Sequence, residues 1–416
     1  MRTFLSIVAC AVCLYQSQAQ DTSRISLNTL LDRIEANYPS ILQYQYNIQS
    51  IRAKADGAVS WMPPTVSTGI MRFPYDLSML RETNNPMNQG GIVFSFEQMI
   101  PNASKLNAKK DYINSLADIE KAKGEWTKNE LRREAKKLYY KRYVAERKRV
   151  VVKESEDLLL LLLTSAEGKY RNNQSQLQTI YKAKARLAEL RNMLLMLNSS
   201  VDESSIGLNI LMVRDVNTAF LIDTNIAPVN YSISLSDTGN VSNRSDVTAL
   251  NRFIQSMKLE QYVMEIGTRP DFGVRGEHMQ MFGMPNQWSV MVMMTLPFVP
   301  WASTMYSSEV DAIGYQIQSM EMEKKTMELM AKRMVTEKMT MLISENAQYQ
   351  SYKLNIVPAY ENNLQINMLS YGQNTGDFFV LLDAWEMLLM KKLETYDKLL
   401  STLSLEAEYE YEKESK

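Results

Sequence analysis

Histidine and cysteine are nearly absent from this sequence of 416 residues, which holds one histidine and two cysteines. With so few imidazole and thiol groups, the chain cannot form a reaction centre built on histidine or cysteine. Its sequence also contains no H-E-x-x-H motif, P-loop or nucleophile elbow. The 46 basic residues balance 47 acidic ones, so the net charge of −1 gives no basic face for nucleic acid. We therefore predict a protein that is not an enzyme, needs no cofactor and binds no nucleic acid.

Both cysteines fall in an N-terminal segment that is typical of a secretory signal peptide. Arg2 precedes an apolar stretch from Phe4 to Tyr15, and Ser17-Gln18-Ala19 matches a small-x-small cleavage site. Cleavage would remove residues 1–19 and leave a chain without disulfides or thiolate metal sites. The run Ile7-Val8-Ala9-Cys10 also fits a lipoprotein signal, so lipidation stays an open alternative.

Helix breakers are scarce as well, with 15 glycines and 12 prolines, which favours long helices. Residues 103–198 contain no proline, and Asn172-Asn173-Gln174 marks a break. The sequence therefore predicts one helix of roughly 100 Å at ~1.5 Å per residue, followed by a return helix. Coiled-coil packing is indicated by two series of apolar residues, Leu187, Leu190, Leu194 and Leu197, and Ile313, Met320, Met327, Met334 and Met341. No segment has the ~18 consecutive apolar residues of a membrane helix.

The chain is internally duplicated. Ile48-Gln49-Ser50 recurs as Ile254-Gln255-Ser256, and Pro64 recurs as Pro270 at the same spacing. "YRNNQSQLQTIYKA" from Tyr170 aligns with "YGQNTGDFFVLLDA" from Tyr371. We divide the chain into a first repeat (20–205), a linker (206–243) and a second repeat (244–416), each repeat holding a short helix, two strands and a long helical hairpin.

Each repeat also carries two strands with alternating polarity. In the second, Phe272 to Phe282 alternates up to the turn residues 283–286, and alternation resumes at Ser289. The first repeat offers Thr65 to Phe73 and Gly91 to Ile100. Strands of about ten residues suit a membrane barrel, but known barrels need at least about eight strands. Open edges leave backbone groups unsatisfied in lipid, so four strands per chain predict a barrel shared between chains.

The sequence resembles the TolC-like outer-membrane efflux proteins over nearly its whole mature length. The matching segments are "SLNTLLDRIEANYPSILQYQYNIQSIRAKADGAVSWMPP", "FEQMIPNASKL", "RPDFGVRG" and "VPAYENNLQINMLSYGQNTGDFFVLLDA". The branch that serves heavy-metal and cation efflux is the most similar. The resemblance implies an α+β membrane protein: a homotrimer with a shared transmembrane β-barrel in outer-membrane lipid and a coiled-coil periplasmic tunnel. It also implies two partners, a periplasmic adaptor and an inner-membrane transporter of the resistance-nodulation-division type.

The resemblance further implies a constriction of the tunnel by rings of aspartate. Asp383 matches such a position through Leu382-Asp383-Ala384. Many relatives carry a second acid where this chain has Val380, and Asp377 is a candidate substitute. A ring of three carboxylates would attract cations and repel anions. Either aspartate could instead be an ordinary solvated helix residue.

Two turn-backs of small polar residues interrupt the coiled coils at corresponding places in the repeats. Such residues favour turns and allow a second helical hairpin to approach closely. We expect them to form the end that contacts the adaptor, the alternative being that they are turns only. The contact residues are Asn173, Gln174 and Ser175 in the first turn-back and Gln373, Asn374, Thr375 and Gly376 in the second.

Methionine is abundant, at 28 residues, and its thioether favours Cu(I) over hard cations. On the strand assignment, Met279, Met281, Met291 and Met293 share a face with Arg275 and Glu277, whereas His278 falls on the other face. Charged residues of such barrels point to the lumen, so these methionines are candidates for a lumen-facing path for copper or silver. The simpler interpretation is that methionine serves as a common apolar residue.

Two other classes of protein stay open. A structural coiled-coil surface protein would explain the heptads but neither the strand pairs nor the duplication. An outer-membrane component of type I protein secretion would use the same fold. The favoured prediction is a passive, gated conduit of a tripartite efflux system that carries small solutes outward.

Overall fold

A computed structural model describes residues 24–82, 89–171, 177–229 and 241–414. The predicted signal peptide, and the predicted contact residues Asn173, Gln174 and Ser175, lie outside these ranges. The chain divides into two compact units. Unit 1 comprises the chain up to Leu42, Trp126–Arg244 and the chain from Leu329, and unit 2 comprises Gln43–Glu125 and Ser245–Glu328. Both predicted repeats contribute to each unit.

Long helices dominate the fold, as the scarcity of glycine and proline predicts. The helices are α1 (Leu27–Asn37), α2 (Pro39–Gly57), α3 (Ala103–Arg171), α4 (Leu177–Leu211), α5 (Ser245–Gly267), α6 (Pro300–Ser351), α7 (Val357–Gly372) and α8 (Phe378–Lys413). The strands are β1 (Arg24–Ile25), β2 (Thr65–Met71), β3 (Gly91–Ile100), β4 (Leu221–Ile222), β5 (Phe272–Met281) and β6 (Gln287–Met294). Among the described residues, no helix combines the length and the apolar character needed to cross a bilayer.

The duplicated sequence folds into a duplicated order of elements: α2, β2, β3, α3 and α4 are followed by α5, β5, β6, α6–α7 and α8. The second long helix differs from the first, because a π-helical turn at Tyr352–Ile356 separates α6 from α7. Pro358 lies in the first turn of α7 and has no N–H to continue an α-helical ladder, which accounts for the irregular turn at this point.

The leucine seam forms as predicted. Leu187 and Leu190 are buried in a core cluster of unit 1 with residues of α3, α7 and α8, and Leu194 and Leu197 pack against it. Unit 1 has a second cluster around α1 and the two-stranded parallel sheet of β1 and β4. There, the buried Tyr139 donates a hydrogen bond to the Ile25 carbonyl and accepts one from the Asp223 N–H.

The methionine series in α6 is only partly a packing stripe. Ile313 is buried and Met320 packs against its cluster in unit 2, as predicted. Met341, however, is 52% exposed, whereas its neighbours Met339 and Leu342 are buried. A strict seven-residue repeat drifts about 20° per heptad around a straight α-helix, so the series leaves the packed face before its last member. Within one chain Met341 therefore lies outside the packed face, and its packing against another copy stays a prediction.

Candidate functional site

The four predicted strands form one antiparallel sheet in unit 2, with the order β2-β3-β5-β6. Each predicted hairpin is present, with Thr68 opposite Phe94 in the first and Gly276 opposite Val290 in the second. The sheet also has a pairing that sequence periodicity cannot give, because β3 of the first repeat lies antiparallel to β5 of the second. Among the described strands, β2 and β6 are the edges.

One face of this sheet is apolar and open to its surroundings. Trp288, Val290 and Val292 of β6 are exposed, the first of them to 77%. The same face carries Val66 and Ile70 of β2, Phe94 and Phe96 of β3, and Phe272 and Val274 of β5, all exposed. His278 also lies here, between Phe94 and Trp288 in register, as the alternation predicts. Contiguous exposed apolar area of this kind marks a surface that meets lipid or protein.

The opposite face is polar. The Arg275 guanidinium pairs with the Glu277 carboxylate at 2.7 Å, and Ser289 donates a hydrogen bond to Glu277 at 3.4 Å. The hydroxyl groups of Ser67 and Ser95 are 2.6 Å apart on the same face. One apolar and one polar face, alternating residue by residue, is the pattern of a membrane-barrel strand.

The four predicted methionines all lie on the polar face, but the structure divides them. Met279 and Met281 are at the turn end of β5, whereas Met291 and Met293 of β6 are opposite Arg275 and Gly273 near the other end. The Glu277–Ser289 row separates the two groups.

Met99 of β3 joins Met291 and Met293, since Met99 is opposite Gly273 on the same face. Sequence reasoning missed it, although its alternation with Glu97 could have placed it there. Among the described residues, no group of three or more His, Cys, Asp or Glu side chains could hold a metal ion.

Asp271 fastens the start of β5 to the start of α3. Its carboxylate accepts a hydrogen bond from the Asn102 N–H at 2.8 Å and pairs with Lys105 at 2.8 Å. Burial by itself would raise the pKa of Asp271, but the Lys105 ammonium and the Asn102 N–H outweigh it and lower the pKa below its usual value. The strand therefore begins from a fixed point beside the long helix.

The second candidate site is the turn-back between α7 and α8 in unit 1. Asn374 adopts a left-handed conformation with φ 60°, which asparagine tolerates. The Thr375 N–H donates to the Ser370 carbonyl at 3.0 Å, and the Asn374 N–H donates to the Tyr371 carbonyl at 3.2 Å. These two bonds are those of a Schellman motif, which ends a helix tightly. The predicted turn is therefore present.

Gly376 lies too close to its own chain to carry a side chain. A Cβ atom there would lie 3.0 Å from both the Ser370 Cβ and the Tyr371 nitrogen. A bulky substitution at Gly376 would therefore distort the turn, so it cannot test an external contact by itself. Gln373 and Thr375 are exposed and offer accessible side chains.

A buried aromatic pair supports this turn. The rings of Tyr371 and Phe378 meet edge-on at 5.4 Å, and Lys169 of α3 donates to the Tyr371 carbonyl at 2.6 Å. The Lys169 ammonium also lies 3.8 Å from the centroid of the Tyr371 ring. A cation at the last carbonyl groups of α7 complements the negative end of the helix dipole. The two helical hairpins of unit 1 are thereby joined at this end.

The two predicted gate aspartates have different local roles. Asp377 is the N-cap of α8, and its carboxylate accepts the Phe379 N–H at 3.1 Å. Asp383 lies inside α8 between the buried Leu382 and Ala384 and is itself exposed. Val380, Asp383, Met387 and Met390 follow one another at helical spacing on an exposed face of α8.

Comparison with solved structures gives a consistent match, although no family model and no curated protein matches the sequence. CusC, whose structures concern transmembrane channel formation, has a TM-score of 0.75 at 12% identity, over 96% of this chain and 95% of that one. The outer-membrane protein VceC of Vibrio cholerae has a TM-score of 0.70 at 14% identity, over 93% and 95%. A membrane protein of Pseudomonas aeruginosa has a TM-score of 0.73 at 13% identity, over 95% of each chain.

The chain has the fold of the TolC-like outer-membrane channels. The predicted combination of long helices with a four-stranded sheet drawn from both repeats is confirmed. Other matched structures are described as outer-membrane channels, among them OprN, CmeC of Campylobacter jejuni and MtrE of Neisseria gonorrhoeae.

Proposed function

We propose that this protein is the outer-membrane channel of a tripartite efflux system. In this proposal, three copies form a passive, gated conduit, with the sheet in the outer membrane and the helices in the periplasm. A periplasmic adaptor and an inner-membrane transporter of the resistance-nodulation-division type supply the substrate and the energy. The conduit carries small solutes from the periplasm to the exterior.

The sheet of unit 2 is the observation that carries the proposal. Its apolar face is exposed while its other face holds an ion pair and hydroxyl groups. Strands β2 and β6 have open edges in the single chain, and open edges leave backbone donors and acceptors unsatisfied in lipid. Three copies would supply twelve strands and close a barrel with a polar interior, well above the roughly eight strands of the smallest barrels.

The helical turn-back supports the proposed gate and adaptor contact. The exposed Asp383 carries a carboxylate that three copies could bring together as a ring. Such a ring attracts cations at the narrowest point of a pore. Asp377 already caps α8, so we assign it a smaller part in this ring. The exposed residues Gln373 and Thr375 are the ones we propose to meet the adaptor.

We include monovalent soft cations such as copper or silver among the solutes. The support is Met99, Met291 and Met293 at one end of the polar face of the sheet, since thioethers prefer soft metal ions, whereas Met279 and Met281 lie beyond the Glu277–Ser289 row. The remaining composition of that face, with serine hydroxyls and an ion pair, suits passage of other small polar solutes as well.

The proposal is tested by mass and conductance. The mature protein, purified in detergent, should have three times the chain mass and should open pores in planar lipid bilayers. A variant with charges on the exposed apolar face, Val290→Lys together with Val292→Lys, should fail to insert, because a lysine near the bilayer midplane costs about 2–4 kcal/mol. The matched control, Ser289→Lys on the polar face, should insert normally. A monomer that keeps its sheet, or equal insertion by both variants, would refute the proposal.

A further inference from the structure

Two methionines from non-adjacent strands meet over one glycine on the polar face of the sheet. Met99 of β3 and Met293 of β6 are both opposite Gly273 of β5, which lies between them. Gly273 is buried, and a Cβ atom built on it would lie 2.5 Å from the Met99 sulfur and 3.2 Å from the Met293 terminal methyl carbon. The side chains of both methionines therefore converge on the space that the glycine leaves free.

A second glycine on the same face gives the contrasting case. Gly91 is opposite Met71 on one side and Met281 on the other. A Cβ atom at Gly91, however, would meet the backbone carbonyl of Gln280 at 2.5 Å, with no thioether atom among its nearest neighbours. A glycine flanked by two methionines is therefore not sufficient to bring their side chains together, and the convergence at Gly273 is a local feature.

The electrostatic setting favours a cation. The strands carry two carboxylates on this face, Glu97 and Glu277, and a single cationic group, Arg275, which already pairs with Glu277. Glu97 lies two residues from Met99, on the same side of β3. Met291 lies two residues from Met293 on the same face, so the backbone position of a third methionine is about 7 Å further along the strand.

We propose that Met99 and Met293, with Met291 beside them, form a thioether site for a monovalent soft metal ion, Cu(I) or Ag(I). Thioether sulfur selects soft ions, and hard divalent cations prefer oxygen ligands. The inference rests on the proposed function in one respect: the polar face must line the conduit for the site to act on a transported ion. The metal is substrate here, held on its way through the conduit rather than retained.

Silver binding to the detergent-purified protein tests the site. Titration calorimetry with silver nitrate in chloride-free buffer should show one Ag(I) per chain. Met99→Leu with Met293→Leu should weaken silver binding by on the order of tenfold or more, since loss of a residue that merely hydrogen-bonds to a metal ligand already costs that much affinity. The matched control, Met71→Leu with Met281→Leu, removes two thioethers from the same face and should bind silver as the unmodified protein does.

Gly273→Ala separates geometry from sulfur content. It keeps every methionine but places a methyl group where the two side chains converge, and only flexible side-chain ends stand in its way. It should lose silver binding to the same extent while the mass of the assembly is unchanged. Magnesium should bind to none of the variants at this place.

The outcomes separate the two proposals. A trimeric, conducting protein that binds no silver, or binds it equally in the Met99–Met293 and Met71–Met281 variants, overturns the thioether site and leaves the channel intact. Silver binding that survives Gly273→Ala at full strength also overturns it. A protein that does not assemble or conduct refutes the proposed function itself.

Discussion

The buried ion pair between Arg244 and Glu412 should hold the end of α8 in place. Arg244 directly precedes α5, and its side chain is 3% exposed against 10% for Glu412. One guanidinium nitrogen donates to the Glu412 carboxylate at 2.8 Å and to the Glu412 carbonyl at 3.0 Å. The guanidinium also lies 4.9 Å from the centroid of the Trp126 ring. Replacing Arg244→Met removes these contacts and leaves a carboxylate buried without its cation.

The expected loss follows from the burial of the pair. Breaking a buried ion pair by removing one partner costs about 3–5 kcal/mol, chiefly because the remaining charge stays desolvated. A tenfold change in an equilibrium constant corresponds to about 1.4 kcal/mol, so local opening should become roughly 10²- to 10⁴-fold more frequent. Replacing both partners, Arg244→Met with Glu412→Met, should cost less than Glu412→Met and Arg244→Met added together, because no unpaired charge is left.

Hydrogen exchange of the last turns of α8 measures this opening directly. The matched control is Arg333→Met, which breaks an exposed pair with Glu337 in α6 and should change exchange there by about 0.5 kcal/mol or less. If Arg244→Met changes the exchange of α8 by less than about 1 kcal/mol, the pair is not the structural tie that its burial indicates. Additive effects of the two single changes would refute the electrostatic reasoning as well.

The other predictions concern the gate, the turn and pH. Asp383→Asn should relieve block of single channels by multivalent cations roughly five- to tenfold in half-blocking concentration, about 1 kcal/mol of charge interaction; unchanged block would move the ring elsewhere, with Asp377 the next candidate. Gln373→Trp should abolish efflux in cells while the yield of trimer stays normal. The control Gln365→Trp, on the exposed surface of α7, should leave efflux intact, and equal efflux by the two variants would place the adaptor contact elsewhere. Gly376→Leu should instead lower the yield of folded trimer, since overpacking costs about 1–3 kcal/mol. Burial is the main reason that the pKa of Tyr411 is raised to about 12, so its stabilising contribution should be complete below pH 10 and lost as the pH rises towards 12. Over this pH range the thermal midpoint should fall less steeply in Tyr411→Phe than in the unmodified protein. Parallel plots of thermal midpoint against pH would contradict the assignment.

The faces of the strands could be read from the sequence because a strand has a side-chain period of two. The alternation around Arg275 and Glu277 placed Met279, Met281, Met291 and Met293 together on the polar face, and the register confirms that placement. Alternation does not determine which strands are neighbours. The pairing of β3 with β5 joins residues that are distant in sequence, so Met99 could not be brought to Met293 by periodicity.

In the helices, too, some features could be predicted from the sequence and others could not. The absence of proline indicated the extent of α3 and α4, and the leucine spacing indicated which leucines pack, because helix propensity and heptad packing are local properties. The same local rule does not bring Met341 onto the packed face of its own chain, since the drift of a real helix accumulates over several turns.

By itself the sequence determined the duplication, the long helices and the two-faced strands, which all follow from short-range composition and period, and the export segment stays a prediction. Only the tertiary structure decided that Gly376 has no room for a side chain and that Gly273 brings Met99 and Met293 together. It also decided that Arg244 is buried against Glu412. Each of these depends on distances between segments far apart in the chain, and packing sets such distances, not the local residue pattern.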